Sequence, residues 1–259
     1  MKAKKSLGLK HIKFARAKKA LGQNFLKSEI ALRKIVEEGE VEKEDIILEI
    51  GPGKGALTKK LLEKVEGGGG LVIAVEKDRE LYEFLKTKFK KEISERSLVL
   101  AHDDILEFDI DQELLKFCNF KVIANIPYNI TGAILQKFLE SAHQPTSMVL
   151  MVQHEVAKRI VGRNGPSSAK AMAGKKESIL SISVKAYGEP TIIMKVPARY
   201  FSPAPKVDSA IISIKNISRK LFTDDTKLVQ SCAKSNFAQV ISRKIGRKVL
   251  ENSKSGFCS

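Results

Sequence analysis

Short apolar runs alternate with amphipathic stretches along most of this chain. Ile46 to Ile50 is the first strong strand signal, and Gly51-Pro52-Gly53 ends it. Ala56 to Val65 reads as a helix closed by four glycines, Gly67 to Gly70. Leu71 to Glu76 predicts a strand and Arg79 to Phe89 a helix. Strands are expected at Leu98 to Ala101, Phe120 to Ala124 and Met148 to Val152, with helices at Thr131 to Ser141 and Glu155 to Val161. Strands alternating with helices mean βαβ units and a largely parallel sheet. The fold class is therefore α/β, and no internal repeat interrupts it.

The pattern then changes. Gly162 to Lys176 is rich in Gly, Ser, Ala and Lys and reads as a loop. Thr191 to Lys195 and Ala210 to Lys215 look like late strands, set around Pro197, Pro203 and Pro205. From about Leu221 the pattern turns helical and basic. The expected organisation is a basic arm over 1–20, an α/β domain over 21–215, and a small, mostly helical basic module over 216–259.

Composition narrows the function classes. The 259 residues are 43% hydrophobic, enough for a sizeable core. No segment approaches the run of about 20 apolar residues that a membrane helix needs. The basic start, Met1 to Lys5, lacks the apolar core of a signal peptide. The first acid is Glu29, but the segment is Lys-rich and Ser-poor, unlike a transit peptide. A cytoplasmic protein without membrane contact is expected. Net charge is +16 and pI ≈ 9.7. A solvated surface alone can account for such charge, but a pI above about 9 is the usual footprint of nucleic-acid binding. The charge is concentrated at the ends. Lys2, Lys4, Lys5, Lys10, Lys13, Arg16, Lys18 and Lys19 crowd one terminus, and Lys234, Arg243, Lys244, Arg247 and Lys248 the other. Basic ends around a nearly balanced body suggest arms that hold a polyanion. Cys118, Cys232 and Cys258 and the four histidines show no disulfide or metal-ligand spacing, so no metal is expected.

The strand ends carry the chemistry. Glu49-Ile50-Gly51-Pro52-Gly53-Lys54-Gly55 follows the first strand and precedes a helix. Glycines there let the backbone turn tightly and approach a ligand. The spacing is E-x-G-x-G, so the dinucleotide fingerprint G-x-G-x-x-G is not met. Glu76 ends the next strand, where an acid can accept from both hydroxyls of a ribose. Asp103 and Asp104 end the third, and Asp104 is the better acceptor for an adenine amine. A ribose and an adenine without a second nucleotide fit S-adenosyl-L-methionine. Asn125-Ile126-Pro127-Tyr128 closes the Phe120 to Ala124 strand. An amide, a rigid turn and an aromatic ring together can hold a flat, amine-bearing ring, which points to a nucleobase. Each signal has a plainer competitor: an ordinary βα turn, a capping acid, a loop acid, or an Asn cap beside a core Tyr.

Five motifs in order settle the comparison. Gly22-Gln23-Asn24-Phe25-Leu26, Glu49 to Gly53, Val75-Glu76-Lys77-Asp78, Asn125 to Thr131 and Pro203 to Ser209 closely resemble the small-subunit ribosomal RNA adenine N6,N6-dimethyltransferases. The likeness runs from about Lys18 to Lys215. It implies a Rossmann-like S-adenosylmethionine-dependent methyltransferase sheet, with ribosomal RNA in a small-subunit precursor as substrate and a monomeric protein. By position, Asn24 and Leu26 would meet the methionine end of the cofactor. Gly51 and Gly53 would line its backbone-facing side, Glu76 would hold the ribose and Asp104 the adenine. Asn125 would stand where cofactor and target base meet, and Pro127 would fix the turn. Tyr128 would stack on the target adenine, and Phe201 from the other side, although Phe201 suits a core equally well. Arg243, Lys244, Arg247 and Lys248 would grip RNA phosphates.

Two other functions compete. The large-subunit methyltransferases of macrolide resistance share the Asn-Ile-Pro-Tyr core. Gly22 before Gln23, and Asp208 rather than Asn in Lys206 to Ser209, lean to the small-subunit enzymes. A non-catalytic ribosome-assembly or transcription factor on the same fold could lose pocket residues freely, yet Gly51, Glu76, Asp104, Asn125 and Tyr128 are all present. The loop Gly162 to Lys176 is longer than the family pattern, and the C-terminus is shorter, so a truncated module is expected.

Overall fold

A computed structural model describes residues 17–18, 21–110, 114, 117, 119–162 and 178–219. Most of the basic arm expected over 1–20, most of the loop from Gly162 to Lys176 and most of the module expected over 216–259 lie outside these residues. So do Arg243, Lys244, Arg247 and Lys248.

The described elements run β1 (Phe25–Leu26), α1 (Glu29–Glu38), β2 (Ile46–Ile50), α2 (Ala56–Val65), β3 (Leu71–Glu76), α3 (Arg79–Lys88), α4 (Lys90–Ser94) and β4 (Leu98–His102). They continue with β5 (Lys121–Asn125), α5 (Thr131–Glu140), β6 (Ser147–Gln153), α6 (His154–Val161), α7 (Ile179–Lys185), β7 (Glu189–Val196), β8 (Phe201–Ser202) and β9 (Ser209–Lys215). Seven strands form one sheet in the order β4-β3-β2-β5-β6-β9-β7. β2 to β6 pair in parallel, and β9 runs antiparallel between β6 and β7. The two-residue strands β1 and β8 pair separately, Leu26 opposite Phe201.

Strands β2, β3 and β5 read as almost unbroken apolar runs because helices cover both faces of the sheet. Their alternate residues divide the core in two. Leu48, Ile50, Ile73, Val75, Val122 and Ala124 face one side, where Ile134 and Phe138 of α5 and Ile160 of α6 pack. Ile47, Val72, Ala74 and Ile123 face the other, against Ile35 of α1, Leu61 of α2 and Leu85 of α3. Phe120 and Phe138 are fully buried with ring centroids 6.5 Å apart. Truncating either to Ala would cost about 3–5 kcal/mol.

Local chemistry sets the helix starts. Ser28 accepts from the Ala31 N–H at 3.3 Å, and Asp78 from the Glu80 N–H at 2.9 Å. Such caps contribute roughly 1 kcal/mol each. Strand order reverses between β2 and β5, whose Leu48 and Val122 are paired. That reversal leaves a crevice at the carboxyl ends of the strands, where open α/β sheets place their ligands.

Candidate active site

A cavity of about 550 Å³ opens at this crevice. That volume suits a small organic ligand. Three polar side chains reach it by simple parity. Glu49 lies two residues beyond Ile47 on β2, Glu76 two beyond Ala74 on β3, and Asn125 two beyond Ile123 on β5. Successive side chains alternate across a sheet, so all three share the face of α1 and α2. The apolar members of each strand pack the core, and the last member of each series is polar at the cavity wall.

The turn after β2 approaches the cavity closely. The Gly51 N–H donates to the Val75 carbonyl at 2.9 Å, fastening the turn to β3. Gly53 has φ +60, and a Cβ there would stand 3.0 Å from the Phe25 ring. Only glycine fits between the turn and the residue that covers it. Lys88 ties the far end of the turn from α3, its ammonium donating to the Lys54 carbonyl at 2.7 Å. Burial lowers the Lys88 pKa, and the nearby Lys59 charge adds to this.

The acids of the cavity differ in how they are held. Glu76 is 5% exposed and accepts from the Gly53 N–H at 3.0 Å and the Asp78 N–H at 2.8 Å. Burial still raises its pKa despite these donors. Each carboxylate oxygen keeps a second lone pair for a ligand hydroxyl. Glu49 is 1% exposed, and no hydrogen-bond donor reaches its Oε2 among the described residues. Burial pushes its carboxyl up to about 8. An orphaned polar atom in a cavity wall favours a ligand that brings a hydrogen-bonding partner. Asp104 accepts from the Lys77 ammonium at 2.5 Å and from the Leu106 N–H at 3.1 Å. The Lys77 hydrogen bond holds its pKa below the usual carboxylate range.

At the rim, Asn125 is the last residue of β5, paired with Met151, rather than the first residue beyond the strand. Its Nδ2 donates to the Asn24 carbonyl at 3.1 Å. A carbonyl accepts only, so this contact fixes which end of the amide is the donor. Oδ1 is left to face other partners. Pro127 precedes a single 3₁₀ turn, Tyr128–Ile130. The Tyr128 hydroxyl meets Ser209 Oγ at 2.5 Å, anchoring the half-buried ring to β9. Burial raises the Tyr128 pKa, partly offset by that bond, so the ring stays neutral.

Asn24, Leu26, Gly51, Gly53, Glu76, Asp104, Asn125, Pro127 and Tyr128 all line this one cavity. Phe201 does not. It is 2% exposed and packs in the core with Leu26, Leu32 and Ile35, because its pairing with Leu26 turns the ring inward. The expected stacking place of Phe201 is thus not on the cavity wall, although its neighbour Ser202 is. Three participants carry no role in the sequence reading: Glu49 as an orphaned acid, Ser209 as the partner of Tyr128, and Asp78 as the anchor of Gln23 and Lys18. The parity rule alone marks Glu49.

This geometry has close parallels. The fold and cavity define an α/β methyltransferase. A crystal structure of a dimethyladenosine transferase from Plasmodium falciparum matches with a TM-score of 0.63 at 27% identity, covering 84% of this chain and 69% of that one. A crystal structure of the 23S rRNA methyltransferase ErmE matches with a TM-score of 0.62 at 26% identity, covering 81% and 78%. The chain belongs to the ribosomal RNA adenine dimethylase family, whose sequence profile matches residues 14–255. A ribosomal RNA small subunit methyltransferase A from Dehalococcoides mccartyi is 38% identical over 239 residues, 92% of this chain and 74% of that protein. A protein of the same name from Nostoc sp. is 37% identical over 246 residues, 92% and 83% of the two chains. No helix among the described residues is long and apolar enough to cross a membrane.

Proposed function

We propose that this protein transfers methyl groups from S-adenosyl-L-methionine to the N6 amine of adenine in small-subunit ribosomal RNA, dimethylating two adjacent adenines during ribosome assembly. The observation that carries this reading is the Asn125 amide, oriented by the Asn24 carbonyl at the rim of the acid-lined cavity. Family membership and the names of the relatives support it. A ribosomal substrate goes with a cytoplasmic setting.

The residues present fit the cofactor. Glu76 offers acceptors for ribose hydroxyls, and Asp104 can accept from the adenine amine in place of the exposed Lys77. Gly51 and Gly53 let backbone approach the ligand, and Asn24 and Leu26 close the methionine end. The orphaned Glu49 Oε2 leaves a buried polar atom for a ligand's hydrogen-bonding group to pair with. When bound, the cofactor supplies an electrophilic methyl on its sulfonium.

The chain's own task is to prepare the acceptor. Adenine N6 is a poor nucleophile because its lone pair is delocalised into the ring. Asn125 Oδ1 accepts one N6 hydrogen and the Ile126 carbonyl the other. That pairing turns the lone pair towards the methyl group. Pro127 makes the two acceptors converge, and Tyr128 holds the base flat by stacking, worth about 1–3 kcal/mol per base. The base must leave its own stack to enter. The methylated N6 is cationic and strongly acidic, so it gives up one proton to water. Positioning then supplies most of the rate gain, and no strong general base is required.

The test uses separated ribosomal subunits from cells lacking this modification, incubated with labelled cofactor. Label recovered as N6,N6-dimethyladenosine from small-subunit RNA is the expected result. Label in large-subunit RNA alone would favour the macrolide-resistance type, and no label in either would favour a non-catalytic factor.

A further inference from the structure

One short segment runs along the cavity wall from the β3 end to the β5 end. Leu21 to Lys27 lines it from end to end. On the β9 side the segment is fastened by backbone. β1 pairs with β8, and the Lys27 N–H donates to the Tyr200 carbonyl at 2.8 Å. In its middle, Phe25 covers Gly53 and the Asn24 carbonyl receives Asn125. On the β3 side it is held differently. Gln23 Nε2 and Lys18 Nζ both donate to the Asp78 carboxylate, each at 2.9 Å. The Lys18 N–H in turn donates to Gln23 Oε1 at 2.8 Å, so the two side chains form one unit.

Asp78 is only 3% exposed, yet three donors converge on it: Gln23, Lys18 and its own helix-capping partner, the Glu80 N–H. Its own N–H donates to Glu76 Oε1. One residue therefore touches both the ribose acceptor and the strap above the cavity. Hydrogen bonds to a charged acceptor are about twice as strong as neutral ones. They also break as a unit once the carboxylate is released, whereas β1 can stay paired as the hinge.

We propose that Asp78 is a positioning residue that latches the strap Leu21 to Lys27 over the cavity, so that ligand exchange requires its release. This rests on the cavity being the cofactor site. Two methyl transfers to one amine require an exchange of spent cofactor between them, and the latch sets its rate.

The test compares Asp78→Asn, Gln23→Leu and the double variant. Asn caps a helix as well as Asp does, so α3 keeps its start. Two measurements separate the latch from the pocket assignment. The first is amide hydrogen exchange of the ligand-free proteins. Both variants should exchange faster over 21–24 while the β1 pairing from Phe25 to Lys27 stays protected. The second is the dissociation rate of S-adenosylhomocysteine. Each single variant should raise it about tenfold, the order expected for a lost charge-assisted hydrogen bond. The double variant should raise it no further, because both substitutions open one latch. Unchanged exchange over 21–24 would overturn the latch, as would a double effect equal to the product of the singles. Faster exchange with no binding of S-adenosylhomocysteine by any form, wild type included, would support the latch and count against the cofactor assignment alone.

Discussion

The Asn125 side-chain amide donates to the Asn24 backbone carbonyl at 3.1 Å, joining residues 101 apart in sequence. This contact makes the amide a directional device, with its donor end held and its acceptor end presented. Asn125→Ala should lower methyl transfer by roughly a hundredfold or more, the scale of losing one preorganised polar contact to a reacting group. Asn125→Asp should be as damaging although nearly isosteric, because a carboxylate would face the Asn24 carbonyl acceptor to acceptor. Cofactor affinity should change little in either. Single-turnover rates and cofactor titrations measure the two effects, and near-normal transfer by Asn125→Asp would refute the orienting role.

Tyr128 separates a ring from its anchor. Tyr128→Phe keeps the stacking surface and loses the bond to Ser209. Tyr128→Ala loses both. A stacking contact is worth about 1–3 kcal/mol, so the Ala variant should lose roughly ten- to a hundredfold in kcat/KM for RNA, and the Phe variant much less. Equal losses would mean that the hydroxyl, not the ring, matters.

Glu49 gives the fold a pH signature. Its carboxyl is raised from an ordinary 4.5 to about 8 in the folded chain, with burial the main cause. Between these values the folded state holds a proton that the unfolded state releases. The contribution to stability is therefore full below about pH 4.5 and is lost as pH rises through about 8. Glu49→Gln cannot titrate. Melting curves taken at intervals across this window should show the wild type losing stability relative to Glu49→Gln as pH rises, and parallel curves would contradict the burial account.

Gly55 starts α2 with φ +70, and a Cβ there would lie 2.5 Å from the Phe89 ring and 2.8 Å from Leu85. Gly55→Ala meets both overpacking, about 1–3 kcal/mol, and a left-handed backbone, about 1–2 kcal/mol. A clear fall in the denaturant midpoint is expected. An unchanged midpoint would show that the α2–α3 contact is looser than it stands.

Much of this was legible in the chain. The β2 and β3 strands and α2 lie where the apolar runs and flanking glycines put them, because those segments are buried on both sides or bounded by residues that cannot continue them. Helix α1 was equally legible, with Ser28 as its cap and Ala31, Leu32, Ile35 and Val36 at helical spacing, yet it is absent from the expected elements. Helix α7 was not: its sequence, Ile179 to Lys185, is rich in β-branched residues that favour strands, and packing of Val184 against the core decides otherwise. The glycine turn, Glu76, Asp104 and Asn125 to Tyr128 stand together as the motifs suggested. Phe201 stayed open between stacking and core because a two-residue strand has no period from which to tell inward from outward. The Asp78 and Ser209 contacts join segments 55 and 81 residues apart, and neither leaves a mark in local pattern.

The most direct measurement is mass spectrometry of nucleosides from small-subunit ribosomal RNA of cells lacking this protein. N6,N6-dimethyladenosine should disappear, return with the wild-type chain, and fail to return with Asn125→Ala. Undiminished dimethyladenosine in the deletion strain, or full restoration by Asn125→Ala, would contradict the proposed transfer.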